Sequence, residues 1–304
     1  MEAALFPVLP MVHGPGLMLL LVIAIGAVGS VTYWTSFHAY FAAQGDADQR
    51  GRQLVELEAF TATVGIIAPG FGGWALGVLG PWPTFLAIAL IQILSAAPLL
   101  AAPDIAITDR ELTDRRTLRI AVILQATDGG FAAAFLYVWQ IGLFTTLGER
   151  FANYGGAMAL AGLFGAAASF TAGYFVDLGH ARRSVLIAYG FAVATVGAKA
   201  LAFGHPAAAV FANALSAVVL VLLTPVMMTL IYNASQRSGC TLRFHMATEG
   251  GWDAGCVGGC LMAAGLLAVG APLWGPMLLA LPALAVGGAL LVRHYPANAA
   301  ISRA

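Results

Sequence analysis

Long apolar stretches separated by short polar connections make up most of this chain. A helix needs about 20 mostly apolar residues to cross the hydrocarbon core of a bilayer. In lipid every backbone polar group must be bonded within the segment, so such stretches favour helices. Nine are predicted as membrane spans: 16–43, 57–79, 83–102, 118–146, 152–176, 184–203, 206–233, 247–270 and 273–293. We therefore expect an all-α polytopic membrane protein.

The connections between the spans alternate in character. One set is polar and lies at 44–53, 103–117, 177–183 and 235–245, whereas the other set is short and nearly uncharged. Of the 14 lysines and arginines, only Arg150 and Lys199 lie away from the polar set, its flanks and the C-terminal end. Because positive residues mark cytoplasmic loops, the polar set is predicted to be cytoplasmic. Nine spans then leave the N-terminus outside and the C-terminus in the cytoplasm.

Composition supports the membrane assignment. Hydrophobic residues are 60% of the 304 and charged residues 9%, with a mean hydropathy of +0.87. A soluble domain is about half apolar and about a quarter charged. The net charge of zero argues against a nucleic-acid partner. The N-terminus lacks the basic region of a signal peptide, so the first stretch is expected to remain as a span in the inner or plasma membrane.

The three cysteines predict neither a disulfide framework nor a metal site. Cys240 stands alone, and Cys256 and Cys260 lie four residues apart in an apolar run without a histidine to complete a ligand set. They are interpreted as small packing residues. No cofactor is predicted, and no catalytic constellation is present at plausible spacing.

The segment GYFVDLGHARR, residues 173–183, resembles a cytoplasmic loop of the major facilitator superfamily. Gly173, Asp177, Arg182 and Arg183 correspond to the glycine, the aspartate and the paired arginines of that loop. The pair Arg50 and Arg52 resembles the loop after the fourth helix of the family. Residues 65–77 partly resemble a glycine- and proline-rich signature of exporters, with the order of proline and glycine inverted.

The resemblance implies an organisation into two unequal parts. Residues 118–304 would be a complete C-terminal six-helix bundle, 103–117 the cytoplasmic linker, and 1–102 a partial N-terminal bundle equivalent to helices 4–6 of the family. The first three family helices are then absent. Either the chain is a shortened relative, or its start lies downstream of the true one.

The function that the resemblance implies is secondary active transport of a small molecule by alternating access, with protons as a candidate coupling ion. The chain would not be an enzyme, and its partners would be a small-molecule substrate and the lipid bilayer. The alternative is a transport-incompetent relative that acts as a membrane assembly or partner protein. A second copy or another subunit could complete the N-terminal part. The loop residues, including Arg50 and Arg52, would hold the cytoplasmic side closed or act only as positive anchors.

Ionisable and polar residues within spans are costly, so each is a candidate for function. Gln125, Asp128 and Trp139 share one face of span 118–146, and Asp128 lies near the membrane midplane. The seventh helix of the family lines the central cavity, which makes this stripe a predicted substrate or proton site. The alternative for Asp128 is a paired structural residue.

Further candidates lie on three other spans. Trp34 and His38 share one face of the first span, and His38 is either a titrating group or a hydrogen-bonded anchor. Asn213 lies in span 206–233, where Pro225 is expected to kink the helix for gating or for packing.

The span 247–270 carries two carboxylates and a row of glycines. Asp253 is predicted to couple a proton or to pair with an arginine, and Glu249 is expected to be solvated near the cytoplasmic surface. Gly251, Gly255 and Gly259 form a ridge of small residues, which predicts close helix packing.

Overall fold

A computed structural model describes residues 2–46, 49–105, 114–176 and 181–295. Over these ranges the chain is helical and contains no strand. The α-helices are α1 Leu17–Gln44, α2 Arg50–Val78, α3 Pro81–Leu94, α4 Arg115–Ala132, α5 Trp139–Thr146, α6 Phe151–Val176, α7 Ala181–Ala202, α8 Pro206–Arg237, α9 Thr241–Ala268 and α10 Ala280–His294. A π-helical segment, Ala133–Val138, joins α4 to α5. Short 3₁₀ turns lie at Glu2–Ala4, Leu9–Met11, Ala97–Ala101 and Pro276–Leu279.

The predicted all-α polytopic fold is confirmed. Eight helical stretches within the described ranges are long and apolar enough to cross a membrane. The helix α6, with 26 residues, is also long enough. The predicted span 118–146 corresponds to α4, the π segment and α5 in sequence.

Helix packing joins the early helices to the later ones. The helix α4 packs along α9, α8 packs against α6 and α7, and α10 packs against α4 and α7. The helix α1 lies against α8 and α9, while α2 lies against α6 and α8. The helix α3 contacts α2 and the two N-terminal 3₁₀ turns.

The glycine ridge of α9 faces α4, as the spacing predicts. A Cβ atom at Gly251 would lie 2.6 Å from the Val122 carbonyl oxygen, and one at Gly259 would lie 2.6 Å from the Ala133 Cβ. One at Gly255 would overlap the backbone of Ala126. Side chains at these positions would separate the helices, so the ridge sets how closely α9 approaches α4.

The expected polar loop at 235–245 is wrong. The helix α8 continues to Arg237 and α9 begins at Thr241, so only residues 238–240 connect them. Ser235 and His245, assigned to the loop, lie in these helices and are fully buried. The run of polar residues predicted a loop in solvent, whereas these polar side chains are buried inside the end of the helix bundle.

The family-like loop is only partly described. Asp177 lies outside the described residues, as does most of the linker (106–113). Gly173 belongs to α6, and Arg182 and Arg183 are exposed in the first turn of α7.

Candidate functional site

Most of the arginines lie at one end of the helix bundle, which we call the arginine-rich end. It carries Arg50, Arg52, Arg115, Arg116, Arg119, Arg182, Arg183, Arg237, Arg243 and Arg293. The Gln236 side chain donates a hydrogen bond to the Gly45 carbonyl oxygen at 3.0 Å. This contact joins the ends of α8 and α1 there.

A group of polar side chains joins α1 to three later helices near this end. We call it the histidine cluster, and its members are His38, Gln125, Tyr232, His245 and Glu249. The His38 Nδ1 lies 2.5 Å from the Tyr232 hydroxyl oxygen, and the His38 Nε2 lies 3.4 Å from Glu249 Oε1. Gln125 Nε2 donates to the same carboxylate oxygen at 3.4 Å. The carboxylate of α9 therefore connects α1 to α4.

The contacts of His38 favour one tautomer. With an ionised Glu249, a proton on Nε2 would face the carboxylate at 3.4 Å. A neutral ring then has an unprotonated Nδ1, which accepts from the Tyr232 hydroxyl. Protonation of the ring would make Nδ1 a donor and would require Tyr232 to accept instead. The state of His38 is thus coupled to its contacts with both α8 and α9.

The His245 ring stacks on His38, with ring centroids 5.5 Å apart. His245 is fully buried, and neither of its ring nitrogens has a hydrogen-bond partner among the residues that the structure describes. The Gln125 Oε1 is likewise without a partner in this part of the chain. A buried polar atom without a partner costs about 1–3 kcal/mol. The cluster therefore has unused capacity to form hydrogen bonds with a water or a polar ligand group.

Trp34 covers the outer side of the histidine cluster. Its ring stacks on His38 with centroids 5.4 Å apart, while 44% of the residue is exposed. The structure thus brings the predicted pair of α1, Trp34 and His38, together with the predicted Gln125 of α4.

Asp128 lies one helical turn beyond Gln125 on α4. Its Oδ2 accepts a hydrogen bond from the indole nitrogen of Trp252 at 3.0 Å. Trp252 is three residues beyond Glu249 on α9, so Asp128 and the histidine cluster share one interface between α4 and α9. The carboxylate has one described donor, which leaves it able to accept further hydrogen bonds.

Trp139 and Asn213 form a separate pair. The Trp139 indole donates to the Asn213 Oδ1 at 3.0 Å, and the Asn213 amide donates to the Ala157 carbonyl oxygen at 3.2 Å. Both side chains are buried and join α5, α8 and α6. Trp139 is 14 residues beyond Gln125, which is about 20 Å along the helix. The structure does not bring this pair to the histidine cluster.

Asp253 lies on an open face of α9, where the carboxylate is exposed and makes no hydrogen bond or ion pair with a described residue. It is 12 residues into a helix of 28, about 18 Å from its start. Tyr137, on the π segment, is 47% exposed. A carboxylate half-way along a span is unfavourable against lipid tails, which makes this face a candidate lining of a polar path.

The two arginines at the start of α2 differ in environment. Arg50 is fully buried and donates to the carbonyl oxygens of Phe41, Ala42 and Gly45, at 2.9, 3.3 and 3.0 Å. Its guanidinium therefore binds the last turn of α1. Arg52 is exposed and pairs with Glu56 at 2.9 Å.

A cavity of about 340 Å³ opens at the arginine-rich end, next to the start of α4. Asp114 on its wall caps that helix, accepting from the backbone nitrogens of Arg116 and Thr117 at 2.9 and 3.1 Å. The Thr117 hydroxyl also donates to this carboxylate, and these hydrogen bonds, the hydroxyl first, lower the pKa of Asp114. Burial raises the pKa of Tyr295, which lies on the same wall.

Sequence reasoning missed three residues that the structure places at buried polar contacts. Tyr232 and His245 fell at or beside the segment expected to be a loop, and Lys199 was counted with the opposite end of the bundle. The expectation for Glu249 is also wrong, because its side chain is only 15% exposed and contacts His38. The four-residue spacing of His245 and Glu249 on one helix face was the signal available for the cluster.

No protein-family profile and no curated protein matches the sequence. A search of solved structures finds the crystal structure of a major facilitator superfamily transporter, FucP, in the outward conformation. The two chains share 17% sequence identity and superpose with a TM-score of 0.65, over 97% of this chain and 80% of that one. The chain therefore has the fold of the major facilitator superfamily, as the loop motif suggested.

Proposed function

We propose that this membrane protein is a secondary transporter, which moves a small molecule across the inner or plasma membrane by alternating access, with proton coupling. The histidine cluster carries the proposal, because its titratable side chains join α1 to α4, α8 and α9 within a transporter fold. Among the described residues, no comparable group of contacts favours an enzyme or a non-transporting partner protein.

The position of the cluster suits a gate. Rocking one group of helices against another opens one side of a transporter and closes the other. The contacts from His38 to Tyr232 and Glu249 cross between α1 and the later helices near the arginine-rich end. Their formation would close that end, and their loss would open it. By the positive-inside rule we assign this end to the cytoplasm.

The chemistry of the cluster suits proton coupling. A histidine ring and a carboxylate at ion-pair distance change their contact when either one is protonated, because both the charges and the donor and acceptor roles change. Protonation of Glu249 would remove the charge that holds the Nε2 proton of His38 and the amide of Gln125. Proton binding would thus weaken the closed state of the gate.

The open face beside the cluster supplies a route for the solute. Trp34, Tyr137 and Asp253 are exposed on neighbouring helical stretches that are long and apolar enough to cross a membrane. The two aromatic rings and the carboxylate of this surface support a polar path for the solute. Asp128, which accepts a hydrogen bond from Trp252, would lie at one side of this path. Few charges line this path, which favours a neutral or amphipathic solute.

Proteoliposomes test the transport function directly. Vesicles that contain the protein and a trapped pH-sensitive dye are exposed to a panel of neutral and amphipathic solutes. We expect one of these solutes to be taken up together with protons. Glu249→Gln should abolish proton movement while solute exchange continues, and Glu56→Gln, at an exposed ion pair, should leave both unchanged. Equal proton coupling in Glu249→Gln and the parent protein would contradict the coupling role.

Cysteine labelling tests the orientation without a known substrate. Single cysteines replace Arg52 at the arginine-rich end and Glu149, which is exposed in the turn after α5, in a chain without its natural cysteines. A membrane-impermeant maleimide should label position 149 in intact cells and position 52 only in inverted vesicles. The opposite pattern would overturn the assignment.

A further inference from the structure

Lys199, near the end of α7, is fully buried among aromatic side chains. Its Nζ donates a hydrogen bond to the Phe135 carbonyl oxygen at 2.6 Å. The same nitrogen lies 3.3 Å from the centroid of the Phe135 ring and 5.0 Å from that of Trp139. Within the described part of the chain, no carboxylate is within ion-pair distance of this ammonium group. The carbonyl oxygen is therefore its principal partner.

The carbonyl oxygen that Lys199 binds belongs to the π segment, Ala133–Val138. A π turn contains one residue more than an α turn, and its hydrogen bonds run from residue i+5 to residue i. Where the π turn ends and α-helical bonding resumes, successive backbone N–H groups skip one carbonyl oxygen. That oxygen is left without a backbone donor. Lys199 supplies a donor to a carbonyl in this segment.

An amine at this position is otherwise unfavourable. Burial of its polar nitrogen is destabilising unless the nitrogen is hydrogen-bonded, and contact with the aromatic faces compensates for only part of that cost. An apolar side chain of the same length would fill the space without the penalty. The observed lysine therefore fits a role that requires a hydrogen-bond donor reaching the helix backbone.

We propose that Lys199 is a positioning residue, which stabilises the π segment and so sets the rotation of α5 relative to α4. If the segment returned to α-helical bonding, α5 would rotate by about 100° and shift by about 1.5 Å. Trp139 and Gln140 would then leave their partners, while Gln125 on α4 would stay in place. This goes beyond the proposed transport function, because it concerns how two parts of one span are aligned whatever the solute is.

Crosslinking of paired cysteines by a short bifunctional thiol reagent, in the full chain without its natural cysteines, measures this rotation. Gln140→Cys with Tyr154→Cys reports α5, because these side chains are hydrogen-bonded in the structure. Gln125→Cys with Glu249→Cys is the matched control. The side chains of Gln125 and Glu249 are hydrogen-bonded, with Nε2 and Oε1 3.4 Å apart, and Gln125 lies in α4, before the π segment. In Lys199→Met we expect the 140–154 crosslink to be lost and the 125–249 crosslink to remain. An unchanged yield of the 140–154 crosslink would overturn the proposal.

A compensating deletion distinguishes this role from a general need for lysine in the fold. Removal of the exposed Tyr137 takes the extra residue out of the π turn and leaves α5 in its present rotation. The deleted chain should form the 140–154 crosslink whether residue 199 is lysine or methionine. If Lys199→Met alone loses both crosslinks, their recovery in the deleted chain supports the proposal. If the deleted chain forms the crosslink only with lysine, Lys199 does not act through the π segment, and the proposal fails.

Discussion

Replacement of Gly251 by alanine tests the close approach of α9 to α4. The added Cβ would lie 2.6 Å from the Val122 carbonyl oxygen and 3.0 Å from Val122 Cγ1. A carbon atom beside a carbonyl oxygen normally stays about 3.3 Å away. The two helices must therefore separate locally by about 0.7 Å, because a backbone oxygen cannot rotate out of the way.

The expected loss of stability has two opposing parts. Overpacking of a tight interface costs about 1–3 kcal/mol. Alanine in place of glycine inside a helix contributes about 1 kcal/mol in the opposite direction. Gly250→Ala is the matched control, since Gly250 is the preceding residue of the same helix and a Cβ there meets nothing within 4 Å. The difference between the two variants isolates the packing cost, which we expect to be about 1–3 kcal/mol.

Unfolding of the purified protein in detergent, followed by the loss of helical circular dichroism as denaturant is added, measures this difference. Gly251→Ala should unfold at a lower denaturant concentration than the parent protein, and Gly250→Ala at the same or a higher one. Because Glu249 and Trp252 flank this residue, the hydrogen bond between Trp252 and Asp128 should also weaken. Equal midpoints for the two alanine variants would refute the close contact between α9 and the Val122 carbonyl.

Three further variants test other contacts. Arg50→Met should lower stability by about 1–3 kcal/mol, because the Ala42 carbonyl oxygen loses its described donor, whereas the Phe41 and Gly45 oxygens keep the Gly45 backbone nitrogen and the Gln236 amide. Arg52→Met, at an exposed pair, should change stability by less than about 0.5 kcal/mol. Similar thermal midpoints for the two variants would contradict the role of Arg50 at the end of α1. Trp139→Phe removes one buried donor and should cost about 1 kcal/mol in the same thermal assay, and an unchanged midpoint would count against that hydrogen bond. The pKa of Asp114 is lowered in the folded state, so its carboxylate stabilises the fold above the unfolded pKa of about 3.9 and loses this effect as the pH falls through the folded pKa. The difference in thermal midpoint between the parent protein and Asp114→Asn should therefore disappear in acid. A difference that does not depend on pH would exclude the ionised carboxylate as the helix cap.

Hydropathy was sufficient to predict the helices but not all of their ends. The predicted span at 57 begins as helix at Arg50, because the polar first turns of α2 extend from the membrane and are anchored to α1. The segment 235–245 was interpreted as a loop because it is polar, yet Ser235 and His245 are buried where helices converge. Polarity alone does not distinguish a solvated side chain from one that faces a neighbouring helix.

The candidate site was only partly predictable for the same reason. Gln125 and His38 were found because a polar side chain within an apolar span is conspicuous, but that they share Glu249 depends on the tertiary fold. The π segment has no signature in the apolar run 131–138, and the side chain that donates to its backbone, Lys199, comes from another helix. Local patterns identify residues that are costly to bury, whereas their partners follow from packing.

The tight connection between α8 and α9 constrains which parts can move. In the turn at residues 238–240, the Ser238 hydroxyl donates a hydrogen bond to the Ser235 carbonyl oxygen at 2.6 Å. Gly239 has a positive φ of 87°, which a turn of this length requires. With so short a connection, the adjoining ends of these two long helices stay next to each other. In the proposed transport cycle, the ends of α8 and α9 that carry Tyr232 and Glu249 would therefore shift together, and the displacement that frees His38 would come from α1.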